Sequence, residues 1–246
     1  MTDDFDRLID LLKSGAVGVA LTGAGISIDS GIPAFRGAQG LWEKYDPLEF
    51  AHIDSFMADP GKVWGMLKEM GDIIDQAEPN DAHRHLAELE RRGILAGVIT
   101  QNVDNLHQEA GSRQVIEFHG NGTQVICLDC RRTRPAAGVD LSVLPPRCSC
   151  GGLLKPDVVL FGEPIPSRAM LKAYGLIEST QFMLVVATSA VVAPASLLPQ
   201  AAKSRGATII EINPEPTPLS RGVSDLIFRE TAEVLLGRVI QALDPD

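Results

Sequence analysis

Three stretches of this chain carry side chains whose types and spacing suit chemistry. The first is Gly23-Ala24-Gly25, which ends the apolar run 16–21 and leads into a short helix from Ile26. A strand that feeds a glycine turn opening a helix can hold phosphate, because the backbone can approach closely and free N–H groups point outward. The dinucleotide fingerprint is incomplete. Ile28 stands where its third glycine would be, and no acidic residue at the end of a second strand falls convincingly ~20 positions later. The turn alone leaves nucleotide binding and an ordinary strand-to-helix turn both open. Beyond it, Phe35-Arg36-Gly37 sets an aromatic ring and a fixed positive charge nearby.

The second stretch is Gln101-Asn102-Val103-Asp104-Asn105-Leu106-His107, directly after the apolar run 95–100. Ligands of open α/β sheets bind outside the carboxyl ends of strands, so polar side chains gathered there are candidates. Asn102 also reads as the N-cap of a helix over 103–110. A further short strand, 115–118, delivers His119, whose ordinary pKa of ~6.5 suits proton transfer near neutral pH. His52, His83, His85 and His107 lack comparable neighbours.

The third is Cys127-x-x-Cys130, then Cys148-x-Cys150 before Gly151-Gly152. Two cysteine pairs on hairpin tips can supply four thiolates in a tetrahedron, as structural zinc requires; the alternative is reduced buried thiols. No histidine or carboxylate is spaced to make a catalytic zinc centre. Arg131, Arg132 and Arg134 on this module read as surface charge rather than as a nucleic-acid ribbon.

These residues need elements to position them. Phe5, Leu8, Ile9 and Leu12 form one helical stripe closed by Gly15. Residues 32–58 are loop-rich. Asp59-Pro60 starts a helix that Val63, Met66, Leu67, Met70, Ile73 and Ile74 continue. Asn80 caps a helix over 81–92, ended by Gly93. Strands follow at 158–161, 182–187, 208–212 and 226–228, with helices over 167–179, from Pro194 to Gly206, and over 231–243. Strands alternating with helices imply a parallel sheet covered on both faces, an α/β class. The expected large domain comprises 1–32, 80–119 and 156–246. Segments 33–79 and 120–155 break the alternation and are expected to pack as a smaller one.

The 246 residues are 45% hydrophobic and 22% charged, a globular rather than disordered composition. No apolar run reaches the ~18 residues of a membrane span, and the acidic start resembles no signal or transit peptide. A cytoplasmic location with no membrane association is the expectation. The net charge of −10 argues against binding to a nucleic-acid backbone.

Several stretches together resemble one family. Gly-Ala-Gly-Ile-Ser with Ser-Gly-Ile-Pro-x-Phe-Arg, Thr-Gln-Asn-Val-Asp-Asn-Leu-His, Phe-His-Gly, the paired cysteines, Pro-Asp-Val-Val-Leu-Phe-Gly-Glu, Ala-Thr-Ser and Ile-Asn-Pro-Glu occur in family order. The chain is similar to the sirtuins, NAD-dependent protein-lysine deacylases, from about Leu8 to Leu236. The resemblance implies a Rossmann-like sheet plus a smaller domain made of a helical insertion and a zinc-binding module. It implies NAD as co-substrate, one structural zinc on Cys127, Cys130, Cys148 and Cys150, and acyl-lysine peptides as substrates; a monomer is the expectation.

Residue by residue, the resemblance places NAD phosphates on Gly23, Ala24, Gly25, Ile26 and Ser27, and a mobile cofactor loop at Phe35 and Arg36 with Trp42 beside it. Gln101, Asn102, Val103 and Asp104 match the pocket for nicotinamide and its ribose, with Asn102 and Asp104 counted as catalytic alongside His119, the general base. Ala187, Thr188, Ser189, Asn213, Pro214, Glu215 and Thr231 match contacts to the rest of the dinucleotide. Val158, Val159, Phe161 and Gly162 match a segment that pairs with an extended peptide, a mode in which backbone bonds give affinity with little sequence demand. The implied reaction releases nicotinamide and yields free lysine and O-acyl-ADP-ribose.

Two positions depart from the family pattern. Ala34 replaces a common Asp or Thr of the cofactor loop. In the desuccinylase-like subgroup, which this chain otherwise resembles, Tyr-x-x-Arg stands three and six residues past the tryptophan that matches Trp64; here those positions are Leu67 and Met70. An apolar pair cannot hold a carboxylate, so acetyl or longer uncharged acyl groups are expected to outperform succinyl. An ADP-ribosyltransferase or NAD glycohydrolase, a zinc-ribbon binding module and a nucleotide-sensing scaffold are the competing readings.

Overall fold

The computed structural model describes residues 3–35 and 40–244. Arg36, expected in the cofactor loop, lies outside the described residues. In chain order the elements are α1 (Asp4–Lys13), β1 (Gly18–Thr22), a 3-10 turn (Ala24–Ser30), α2 (Leu41–Lys44), α3 (Pro47–Phe50), α4 (Ile53–Ala58), α5 (Pro60–Ile74) and α6 (Asp81–Arg91). Then come β2 (Leu95–Thr100), α7 (Leu106–Glu109), β3 (Val115–Glu117), β4 (Gly120–Cys127), β5 (Thr133–Pro135) and β6 (Leu154–Val158). The chain ends with α8 (Ser167–Ser179), β7 (Phe182–Val186), α9 (Leu198–Lys203), β8 (Thr208–Ile212), β9 (Leu226–Phe228) and α10 (Ala232–Leu243).

Six strands form one parallel sheet in the order β3-β2-β1-β7-β8-β9. The central strands are apolar on both faces because helices cover both. Ala20, Val98, Phe182, Leu184, Val186, Ile210 and Ile212 point toward α1, α6 and α10. Their alternates Val19, Leu21, Ile99, Met183, Val185 and Ile209 join the core beneath α8 and α9. The order reverses between β1 and β7, and that reversal opens a crevice at the carboxyl ends of these two strands.

A second, antiparallel sheet, β5-β4-β6, packs with α4 and α5 around Phe56, Val63, Trp64, Val125 and Leu154. Trp64 Nε1 donates to the Leu154 carbonyl at 2.8 Å, so the buried indole ties α5 to β6.

Several sequence expectations are corrected. The expected loop 32–58 contains three short helices, each too short for its apolar spacing to register. The helix expected over 103–110 shrinks to Leu106–Glu109, and Asn102 is not its cap. Asn105 enters it with φ 67°, and Asp104 Oδ1 accepts the Leu106 N–H at 3.1 Å. The strand expected at 158–161 lies instead at Leu154–Val158, because Lys155 and Pro156 hide an otherwise buried stretch. The helix expected from Pro194 becomes a 3-10 turn, Ala195–Leu197, followed by α9.

Candidate active site

The crevice is built first from backbone. Gly23 N–H donates to the Val186 carbonyl at 3.2 Å, and Gly25 N–H to the Ala187 carbonyl at 3.0 Å. These bonds draw the turn after β1 against the end of β7. A Cβ on Gly23 would meet Thr188 Cβ at 2.6 Å and Thr188 Cα at 2.9 Å. Glycine is thus imposed by proximity to Thr188. The short helix expected from Ile26 is the 3-10 turn Ala24–Ser30, and Asn80 Nδ2 fixes it from outside by donating to the Ile26 carbonyl and Ser30 Oγ. Ile26 sends its side chain into the core, which leaves only its backbone for a ligand.

Side chains from β1, β2 and the 3-10 turn meet beneath this crevice. Ser27 Oγ donates to Asp104 Oδ2 at 2.7 Å and accepts Asn102 Nδ2–H at 3.0 Å. With Nδ2 engaged, Asn102 Oδ1 is buried and has no partner among the described residues. A buried acceptor without a donor is costly, and a ligand amide N–H would satisfy it. Gln101 Nε2 donates to the Thr22 carbonyl and to Thr188 Oγ1 at 3.2 and 3.0 Å, bridging the ends of β1, β2 and β7. The Val103 carbonyl accepts Gly122 N–H at 2.9 Å and ties this loop to β4.

His119 lies just past β3, with Nδ1 3.0 Å from the Gln101 carbonyl. A carbonyl only accepts, so Nδ1 carries the proton and Nε2 is left as the basic nitrogen. Burial holds the pKa of His119 below its ordinary value, and the bond to Gln101 partly opposes that shift.

On the far side, Ala187 takes φ 50°, and Thr188 Oγ1 accepts Ala190 N–H while its carbonyl accepts Asn213 Nδ2–H at 2.9 Å. Ser189, Pro214 and Glu215 are exposed at this rim. Thr231 caps α10 through Val234 N–H at 3.4 Å. Phe35 stacks on Trp42 with centroids 5.2 Å apart, and Trp42 lies 6.3 Å from Phe161. These rings join the cofactor-loop stretch to the segment after β6. In that segment Val159 N–H donates to the His119 carbonyl at 2.8 Å, and Phe161 N–H to the Ala51 carbonyl at 2.8 Å. Gly162, at φ 85°, follows them. Leu67 packs against the core that holds Val158 and Leu160, and Met70 is half-buried one turn further along α5.

Sequence reasoning passed over the polar layer below Asn102. His107 Nε2 lies 2.9 Å from Thr22 Oγ1, which donates to Thr100 Oγ1 at 2.9 Å; Thr100 Oγ1 also accepts Asn102 N–H at 3.1 Å. The His83 and His107 rings are 4.9 Å apart, edge to face. Burial, with the neighbouring His83, lowers His107 to about 3. Burial lowers His83 to about 4 against the opposing charge of Asp104. The available signal was the position of both threonines at strand ends. Glu211 and Arg229 were missed as well. Glu211 accepts from Thr217, Ser220, Ser224 and Arg229, and Arg229 Nη1 also donates to the carbonyls of Asn213 and Glu215. Burial would push the Glu211 carboxyl up, but the bonds from Ser224, Arg229, Ser220 and Thr217 hold it below the usual range.

The four cysteines converge at the tips of the second sheet, with all Sγ atoms within 4.8 Å of one another. Cys127 Sγ and Cys150 Sγ are 3.6 Å apart, and Cys130 Sγ and Cys148 Sγ 3.9 Å. An Arg132 N–H bond lowers the Cys130 thiol to about 6, which favours the metal-binding thiolate. The cluster is able to coordinate a metal ion.

A parallel sheet whose glycine turn and polar strand ends meet where the strand order reverses defines a dinucleotide-binding α/β protein. The profile of the Sir2 family matches residues 23–194. An NAD-dependent protein deacylase of Aeropyrum pernix is 46% identical over 242 residues, covering 96% of each chain. A mutant Sir2 homologue in complex with ADP-ribose superposes with a TM-score of 0.93 at 41% identity, over 98% of this chain and 96% of that one. A Sir2 mutant with a p53 peptide and NAD superposes with a TM-score of 0.88 at 36% identity, over 98% of each. The chain belongs to the Sir2 family. Among the described residues no helix is long and apolar enough to cross a membrane.

Proposed function

We propose the following assignment of roles in this chain, an NAD-dependent protein-lysine deacylase acting on acyl-lysine peptides. The observation that carries it is Asn102, whose Oδ1 is buried and unpaired while Ser27 and Asp104 hold its other end. The nicotinamide carboxamide offers the N–H that this oxygen lacks. Gly23 and Gly25 let the turn close on Thr188 and Ala187, where a Cβ would clash, and this brings the backbone of the turn to the crevice that would take the phosphates. Gln101 and Thr188 line the ribose side, and Asn213 and Glu215, locked by Arg229, take the adenosine end. Arg36 carries the family's cofactor-loop role by sequence match alone.

Bound NAD supplies a ribose whose bond to nicotinamide breaks with cationic character, and the acyl oxygen of lysine is the nucleophile. Asn102 and Asp104 orient the leaving carboxamide, so alignment does most of the work. His119 Nε2 would then remove a proton from a ribose hydroxyl, which attacks the acyl carbon; the lysine amine leaves and a water molecule is taken up, giving free lysine and O-acyl-ADP-ribose. The peptide lies against Val158, Val159, Phe161 and Gly162. The cysteine cluster would hold one structural zinc: the Cys127–Cys150 and Cys130–Cys148 separations, 3.6 and 3.9 Å, straddle the ~3.8 Å edge of a tetrahedron with ~2.3 Å Zn–S bonds. The first sheet with its helices is the NAD-binding domain, and the second sheet with α2–α5 the smaller one.

Leu67 and Met70 make the acyl end apolar, and neither side chain offers a cation to a carboxylate. The test is turnover of acetyl-, butyryl- and succinyl-lysine versions of one peptide, with and without NAD. Acetyl should exceed succinyl by about tenfold or more in kcat/KM, the cost of leaving a charge poorly paired. Comparable rates would remove the acyl preference, and NAD-independent or absent turnover would remove the assignment itself.

A further inference from the structure

Lys155 lies on β6, an edge strand of the second sheet, yet is buried, 5% exposed. Its Nζ donates to the carbonyls of Pro156 and Val158 at 3.2 and 2.6 Å and to Glu163 Oε2 at 2.9 Å. The same carboxylate oxygen accepts the Leu160 N–H at 2.9 Å. A buried ion pair contributes little net stability relative to a well-packed apolar pair, because both charges lose their water. Its conformational effect is easier to see. The two side chains grip an irregular stretch of backbone, holding one carbonyl before Val159 and one N–H after it.

The remaining polar groups of the stretch are nearly all spent. Val159 N–H is bound to the His119 carbonyl, the Leu160 carbonyl accepts Glu163 N–H, and the Phe161 carbonyl accepts Ile53 N–H. The Val159 carbonyl has no partner among the described residues. It thus stands as a lone acceptor on a backbone bonded directly to that of His119.

We infer that Lys155 and Glu163 are a positioning pair for the peptide substrate: by occupying the Val158 carbonyl and the Leu160 N–H they leave the Val159 carbonyl as the free acceptor and fix the register in which an acyl-lysine peptide lies beside His119. The inference rests on the reading that residues 158–162 carry the peptide. It assigns neither residue a contact with NAD or with the reacting atoms.

The experiment is steady-state kinetics with an acetyl-lysine peptide, varying peptide at saturating NAD and NAD at saturating peptide. Glu163→Gln keeps the shape and removes the charge. It should raise the peptide KM about fivefold to tenfold, the difference between a charge-assisted and a neutral hydrogen bond, with the NAD KM within about twofold and kcat little changed. Glu163→Asp should give a smaller rise in the same direction, and Lys155→Arg, which keeps charge and several donors, should restore near-native peptide KM relative to Lys155→Met. A merely structural role would move both KM values together, or lower Tm with no change in peptide KM; either result overturns the inference. Phe161→Ala separates the two levels. If it leaves the peptide KM unchanged, the peptide segment itself is misplaced. If it raises that KM while Glu163→Gln does not, the segment stands and the positioning pair falls.

Discussion

His119 Nδ1 lies 3.0 Å from the carbonyl oxygen of Gln101, and this one bond decides which nitrogen of the imidazole keeps its basic lone pair. The donor comes from the loop after β3 and the acceptor from the loop after β2, so the tautomer is set by the pairing of two neighbouring strands. Because burial lowers the pKa of His119, the ring is neutral at pH 7 and remains so into mild acid. The kcat/KM profile for peptide should be flat through neutral pH and fall about tenfold per unit below a midpoint under ~6.5. Initial rates from pH 5 to 9 test this. An acid limb centred at or above pH 7 would contradict it.

Gly23 and Thr188 define the narrowest approach across the crevice. Gly23→Ala places a methyl 2.6 Å from Thr188 Cβ and 2.9 Å from its Cα, which is backbone and cannot rotate away. The turn must move, at a cost of about 1–3 kcal/mol. Thermal melts should show the loss of stability, and calorimetry should show ADP-ribose binding weakened about tenfold or more. A variant with native Tm and native ADP-ribose affinity would show that the crevice is less tightly closed than the geometry requires.

His83 and His107 couple stability to acid. Both are neutral in the folded protein, at about 4 and about 3, chiefly because they are buried. Unfolded, each would titrate near ~6.5. Their contribution is therefore complete above pH ~6.5 and declines as pH falls toward the folded values, by up to about 1.4 kcal/mol per unit for each histidine. Denaturant unfolding between pH 7 and 4 should show this decline. The variant His107→Gln should flatten it, at the cost of a weaker contact to Thr22. An unchanged slope in that variant would assign the acid sensitivity elsewhere.

The core of the large sheet was legible because its strands are short apolar runs punctuated by Gly23, Gly93 and Gly206. Where a polar residue is buried by a specific partner, composition misled. Lys155 and Pro156 disguise β6, and the strand is recovered only once Glu163 is seen to neutralise the lysine. Asn102 looked like a helix cap because Asn favours caps; the αL turn at Asn105 defers that helix and frees the Asn102 amide for the pocket. The glycine turn alone was ambiguous. Its meaning came from Thr188 and Gln101, which are 165 and 78 residues beyond Gly23 in sequence and adjacent in the fold. The layer of His107, Thr22 and Thr100 left only a weak signal, the position of both threonines at the ends of apolar runs, and nothing in sequence linked them to His107.

The cysteine cluster predicts a metal dependence of fold rather than of chemistry, since it is held by β4 and the tip after Arg147, away from His119. Purified protein should contain about one zinc per chain, and removal by a strong chelator should lower Tm by about 10 °C, the equivalent of roughly 3 kcal/mol. Cys130→Ser should reproduce the effect. Full stability after complete metal removal would contradict a structural site.

The most direct test of the central claim is the product balance of wild type and His119→Ala, followed by mass spectrometry with an acetyl-lysine peptide and NAD. Wild type should form nicotinamide, free-lysine peptide and O-acetyl-ADP-ribose in equal amounts, with nicotinamide release dependent on the acetyl peptide. His119→Ala should lose about 10²–10⁴ of the deacylation rate while still binding ADP-ribose and retaining its fold. Nicotinamide release that proceeds equally without acetyl-lysine, or deacylation that survives His119→Ala at the wild-type rate, would contradict the account.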